Sequence, residues 1–168
     1  GIPAEYVMQP FDVKLKYRNA PWCTVNLEVG YDEIGDAQHS EPFIAASVVE
    51  VFKTLCLPLP KPVPLMSLEH QVAQKLHGVS EPGGKRAHDL IDLQLIFSRS
   101  NVDIVETRRI AVRLFANRQR QTWPTMVAKG EGWDELYAAA KGELPVRVTV
   151  DEAIEWVNEL ISRIDAAR

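Results

Sequence analysis

Cysteine and histidine are scarce in this chain of 168 residues: there are two of the first and four of the second. Cys23 and Cys56 have no Cys-x-x-Cys spacing and stand in apolar contexts, so they read as buried free thiols and no disulfide framework is expected. His39, His70, His77 and His88 lack the paired i,i+4 spacing of a helical zinc site; His70 and His77 are two turns apart, the spacing of ordinary packing. Long apolar runs are missing as well. Stretches such as LIFS and AVRLFA are far shorter than the roughly 20 residues a membrane-spanning helix needs, and no basic-then-apolar leader opens the chain, so a cytoplasmic protein with no membrane partner is expected. There is no excess of positive charge. A net charge of −4 excludes indiscriminate coating of nucleic acid but leaves room for a local basic patch. The glycine-containing EPGGK lacks both the preceding strand and the Gly-Lys-Ser/Thr of a P-loop, and reads as a turn with charged flanks. No nucleophile-elbow pattern is present.

What is present is enough apolar residue, 46%, for a buried core, and two kinds of periodicity. Phe11, Val13, Leu15 and Tyr17 alternate with polar residues, and after the turn RNAPW so do Cys23, Val25, Leu27, Val29 and Tyr31; the pattern predicts a hairpin with one buried face. A two-stranded hairpin is marginal alone and calls for further strands. From about Pro42 the pattern is helical, with Ile44, Val48, Val51, Phe52 and Leu55 on one stripe; then LPLPKPVPL forms an extended connector. Ser67 is placed to cap a helix that Gly78 closes. Further helices are expected over about 86–99, nearly all-round apolar and so deeply buried, and over about 103–118, 131–141 and 150–166, the last opened by the capping box Thr149-x-x-Glu152. Trp22, Trp123, Trp133 and Trp156 read as core or interface anchors. The expected fold is α+β: a small antiparallel sheet remnant followed by a helical bundle. The expected organisation is a partial sheet with one helix over 1–56, a proline-rich connector over 57–65 and a helical domain over 66–168.

Chemistry concentrates in KLHGVSEPGGKRAHDLIDL, residues 75–93. Asp89 and Asp92 are three apart and so project from one side of a helix, yet they interrupt an apolar segment. Buried carboxylates are expensive unless paired, hydrogen-bonded or bound to a cation. Lys75 lies on a helix joined to theirs by a short loop, and antiparallel helices joined in that way face each other. The plain structural account is an interhelical ion pair locking a helical hairpin. A second cluster, Arg108, Arg109, Arg113, Arg118 and Arg120, suits either a solvated helix face or contacts to a phosphate backbone.

The segments PLMSLEHQVAQKL and KRAHDLIDLQLI resemble the AbiEii/AbiGii family of nucleotidyltransferase toxins, members of the DNA polymerase β-like superfamily. In that family a leucine-rich helix with Lys-Leu near its end precedes an Arg/Lys-x-x-Asp-Leu-x-Asp-Leu helix. The strand bearing Lys14-Leu15-Lys16-Tyr17, leading to a strand with an acidic residue, resembles the family too, and the likeness covers roughly residues 11–97. It implies a nucleotidyltransferase fold and transfer of a nucleotide from a nucleoside triphosphate to RNA, with tRNA the implied acceptor, Mg²⁺ the implied cofactor and a cognate antitoxin the implied protein partner. It further implies that Lys75 contacts the nucleotide phosphates and that Asp89, with Asp92 behind it, orients the lysine or shapes the nucleotide site. Glu28 then takes the place of a metal-side carboxylate, and Arg109, Arg113 and Arg118 meet the RNA backbone.

One departure stands against the resemblance. The family's Gly-Ser followed by Asp-x-Asp or Asp-Asp on a strand, the carboxylate pair that holds the metals, is nowhere in these 168 residues. The expectation is therefore the C-terminal part of a longer transferase, or a degenerate member, and in either case a polypeptide not competent alone. Two alternatives stay open: an inactive module binding nucleotide or antitoxin, and an unrelated helical interaction domain.

Overall fold

The computed structural model describes residues 8–35 and 40–168, so His39 lies outside the described residues. The chain divides into two compact units, Gly1–Ala37 and Gln38–Arg168.

The first unit holds the hairpin. Strand β1 (Gln9–Tyr17) pairs antiparallel with β2 (Ala20–Val29), with Val13 opposite Val25 and an irregularity between Leu15 and Lys16. The turn is two residues long. Arg18 and Asn19 both take positive φ, 49° and 65°, the handedness that matches the twist of the flanking strands. Asp12 and Asn26 face each other in the register, and the Asn26 amide donates to Asp12 Oδ1 at 2.9 Å. The alternation therefore makes the strands as expected, but it does not make a buried face: Phe11, Val13, Val25 and Leu27 are all between 40% and 51% exposed. The physical reason is that period-two alternation creates an apolar face without supplying its cover, and this unit has no third strand or helix among the described residues. Cys23 and Trp22 lie on the same uncovered hairpin and are exposed, against the expectation of a buried thiol and an anchoring indole.

The second unit starts with a short ribbon. Strand β3 (Glu41–Phe43) pairs antiparallel with β4 (Val63–Leu65), with Pro42 opposite Pro64. The end of the proline-rich connector is thus a strand, and so short a two-stranded ribbon tolerates proline because each strand has an open edge. Between them runs α1 (Ala46–Thr54), which has the expected apolar stripe but no buried residue. Cys56 follows it in a left-handed conformation, φ 52°, and is exposed, again contrary to expectation.

Five helices form the core of this unit: α2 (Leu68–Val79), α3 (His88–Arg99), α4 (Ile104–Arg118), α5 (Trp133–Lys141) and α6 (Val150–Asp165). Their starts carry the expected chemistry. Ser67 Oγ accepts from His70 N, Asp103 Oδ1 accepts from Val105 N and Glu106 N, and both halves of the Thr149/Glu152 capping box are formed. Helix α2 packs on α3 and α4, α3 on α5 and α6, and α4 on α6. Val72, Leu76, Leu90, Leu93, Tyr137, Val157, Leu160 and Ile164 are buried in one continuous cluster, where each large aliphatic side chain contributes about 1.5–3 kcal/mol by leaving water. Two polar side chains tie the interior together. Gln94 donates to Leu90 O and Tyr137 Oη and accepts from Arg147 N, while Asn158 clamps both the N–H and the carbonyl of Val127. The architecture is α+β, a small antiparallel hairpin and ribbon accompanying a helical bundle. No helix among the described residues is long and apolar enough to cross a membrane.

Candidate functional site: an ion cluster across two helices

Helices α2 and α3 are joined by eight residues, Ser80–Ala87, containing the Pro-Gly-Gly turn. Gly83 takes φ 72°, which glycine adopts without strain, and Gly84 offers its carbonyl to the buried Trp133 indole N–H at 2.8 Å. The tie from α5 fixes the loop and so fixes how α3 enters beside α2. With α3 entering there, its first two turns present Asp89 and Asp92 to the last turns of α2.

The result is a cluster of two carboxylates and two cations. Lys75 Nζ donates to Asp92 Oδ2 at 2.6 Å and to Asp89 Oδ1 at 3.3 Å. Arg86 Nε donates to Asp89 Oδ2 at 2.5 Å. His88 Nε2 lies 3.7 Å from Asp89 Oδ1. Exposure grades sharply across the group: the Asp89 side chain is 0% exposed, Lys75 25%, Asp92 42% and Arg86 47%. Asp89 is therefore the buried pivot, with each of its oxygens held by a cation, as a carboxylate taken out of water requires. Hydrogen bonding to Asp89 raises the pKa of Arg86 above that of a free guanidinium, so the guanidinium is charged at neutral pH.

Two residues of this arrangement have parts in it that the sequence analysis does not assign them. Arg86 lies in the residue before Ala87, three positions ahead of Asp89, where the helical spacing alone makes it a neighbour. Gly78 does not close α2 as expected; the helix continues to Val79 with Ser80 beyond it, and Gly78 is buried inside it. Its function is proximity. A Cβ at position 78 would stand 2.6 Å from Arg86 Nε and 3.0 Å from Asp89 Oδ2, so only a bare Cα lets the guanidinium lie against the helix.

Next along α2, His77 is buried against Phe115, ring centroids 4.9 Å apart, with Arg118 Nη1 3.3 Å from its Nδ1. A guanidinium can only donate, which makes Nδ1 the acceptor and places the proton of the neutral ring on Nε2. Burial, then the charges of Arg118, Arg120 and Arg86, lower its pKa from 6.5 to about 4. Gln121 ties the loop after α4 to the same turn, donating to His77 O at 2.6 Å and Ser80 Oγ at 2.8 Å.

The other residues singled out in the sequence stand elsewhere. Glu28 belongs to the hairpin unit, exposed on β2 opposite Pro10. Arg109 is exposed on α4 with its guanidinium on Glu106, Arg113 is half-buried one turn on, and Arg118 turns inward to His77. Arg108 caps the end of α6 through Asp165 O. The α4 arginines are thus largely engaged with the protein's own groups. Among the described residues no three carboxylate, imidazole or thiol groups come together to hold a metal ion.

An acidic pivot holding a lysine and an arginine could serve an anion: the carboxylates fix the cations, and each cation, partly exposed, keeps N–H donors beyond those given to the carboxylates. No curated protein matches the chain. Over residues 4–159, most of its length and a wider span than the two motifs that carry the resemblance, the chain matches the family described as nucleotidyl transferase AbiEii toxin of type IV toxin–antitoxin systems, and it belongs to that family.

Proposed function

We propose that this chain binds a nucleoside triphosphate through the Lys75 cluster and serves a toxin that transfers the nucleotide to RNA, with tRNA as the acceptor. The observation that carries this reading is the pairing of Lys75 with Asp89 and Asp92, in a chain of a nucleotidyl transferase family. An ammonium has three N–H donors, and two are taken by the carboxylates. The third serves a phosphate oxygen, and the two aspartates aim it. Nucleotidyl transfer displaces pyrophosphate in line, and a fixed cation at the triphosphate offsets the charge that builds on the departing group. In this reading Asp89 and Asp92 are positioning residues, Glu28 is a carboxylate on the metal side, Arg109, Arg113 and Arg118 belong to the helix that meets the RNA backbone, and a cognate antitoxin protein is the partner that restrains the toxin.

Mg²⁺ is the cofactor that such chemistry uses. The described residues do not fit an ion site: Asp89 is fully buried with both oxygens on cations, Asp92 is bound by Lys75, and Glu28 has no cluster of ligands about it. That same lack of a carboxylate cluster favours a second reading, an inactive module that keeps nucleotide or antitoxin binding. Membership of the family removes the third, an unrelated helical interaction domain.

Calorimetric titration of the chain with each of the four nucleoside triphosphates, alongside Lys75→Ala, tests the reading. Binding by the wild type that falls at least about tenfold in Lys75→Ala, with the helical fold retained, is expected from loss of one charge-assisted contact. Absence of binding to all four, or equal binding by both proteins, sinks it. Transfer of label from an α-labelled triphosphate to tRNA then separates the transferase reading from the inactive module.

A further inference from the structure

We infer that Arg86 is a second triphosphate-contacting residue, held ready by Asp89 and admitted to its place by Gly78. The inference rests on the nucleotide-binding reading of the same site and extends it to a residue that reading does not use. Three observations carry it. First, Arg86 gives only Nε to Asp89; its two terminal amino groups make no hydrogen bond among the described residues, and nearly half of the side chain faces solvent. A guanidinium anchored at Nε keeps a planar fork of donors directed away from its anchor, the geometry that matches two oxygens of a phosphate. Second, Arg86 and Lys75 hold opposite oxygens of one buried carboxylate, so a single pivot sets the separation and direction of both cations. Third, the bare Cα of residue 78 leaves room for the side chain where it lies: a Cβ there would stand 2.6 Å from Nε, so Arg86 would have to shift, although glycine inside a helix costs about 1 kcal/mol relative to alanine. A purely stabilising contact for Asp89 needs one donor atom; the fork and its exposure are surplus to that need.

Inorganic tripolyphosphate, titrated without magnesium into the wild type, Arg86→Met, Arg86→Lys and Gly78→Ala, separates contact from clasp, because the probe offers phosphate alone. We expect Arg86→Met to weaken binding about tenfold, Arg86→Lys to recover part of the loss because it restores the charge without the fork, and Gly78→Ala to weaken binding with Arg86 still present. Thermal midpoints taken on the same samples report the clasp. A lowered midpoint with unchanged tripolyphosphate affinity in Arg86→Met makes Arg86 a structural residue only and overturns the inference while leaving Lys75-dependent nucleotide binding intact. Failure of the wild type to bind either tripolyphosphate or a nucleotide overturns both. A short single-stranded RNA is the remaining arm: if Arg86→Met weakens its binding and not that of tripolyphosphate, the residue serves a phosphodiester and the assignment to the triphosphate falls.

Discussion

Gly78 and Arg86 share one space: the position a Cβ of residue 78 would take lies 2.6 Å from Arg86 Nε. Replacing Gly78 by alanine therefore sets two effects against each other. Helix propensity favours alanine by about 1 kcal/mol. Displacing Arg86 removes a charge-assisted hydrogen bond from a fully buried carboxylate, which costs about 2–3 kcal/mol. The second is larger, so Gly78→Ala should be less stable than wild type by about 1–2 kcal/mol in denaturant unfolding. An alanine variant more stable than wild type would show that Arg86 swings clear without loss.

Asp89 and Asp92 both hold Lys75, but they differ in burial, and their substitutions should differ accordingly. Asp89→Ala strips the partner from Lys75 and Arg86 at the one position with no access to water, and a loss of about 3 kcal/mol is expected. Asp92→Ala removes a partly exposed partner and should cost under about 1 kcal/mol. Urea titration of both variants checks the ranking, and equal losses would mean that Asp89 is not the pivot.

His77 makes stability depend on pH in a stated direction. Its folded pKa, about 4, lies below the 6.5 of the free ring, so the unfolded chain takes up the proton first. The stabilising contribution is complete above pH 6.5, declines as pH falls from 6.5 towards 4, and is gone below that. The difference amounts to something on the order of 2–3 kcal/mol. Unfolding free energies of wild type and His77→Met measured across this range should converge as pH falls, since methionine does not titrate; parallel curves would show the ring to be accessible to solvent as it protonates.

Gln94 is the polar hub of the core beneath this site, bonded to Leu90 O, Tyr137 Oη and Arg147 N. Gln94→Leu keeps the volume and leaves the Arg147 N–H without its acceptor, so a loss of about 2–3 kcal/mol is expected. The same substitution removes the hydrogen bond that lowers the pKa of Tyr137, which burial already raises. Ultraviolet titration of the phenol should move further towards high pH in the variant, and an unmoved titration would place Tyr137 in contact with water.

Much of the secondary structure was legible because it depends on neighbours in sequence. Ser67, Asp103 and the Thr149/Glu152 box act within one turn of the residues they cap, and the helices begin where those residues stand. Lys75, Asp89 and Asp92 could be brought together on paper for a similar reason: two helices joined by a short loop must lie side by side, and a three-residue spacing puts both carboxylates on one side. Arg86 was within reach of the same rule, at i−3 to Asp89.

What sequence periodicity could not decide was cover. An alternating strand or a striped helix declares which face is apolar, and whether anything lies on that face is a long-range matter; the hairpin, α1, Cys23 and Cys56 are exposed for this reason. Gly78 is the converse case. Read locally, a glycine near the end of a helical pattern is a terminator, whereas its actual role is set by a side chain eight residues away that folds back over it. By itself, then, the sequence determined the helices and the hairpin, which follow from local spacing, and the family, which follows from likeness to its members. Only the tertiary structure decided that Asp89 is fully buried, that Arg86 shares it with Lys75, and that Arg86 lies against position 78, because burial and close approach arise between segments that the chain brings together after the local structure has formed.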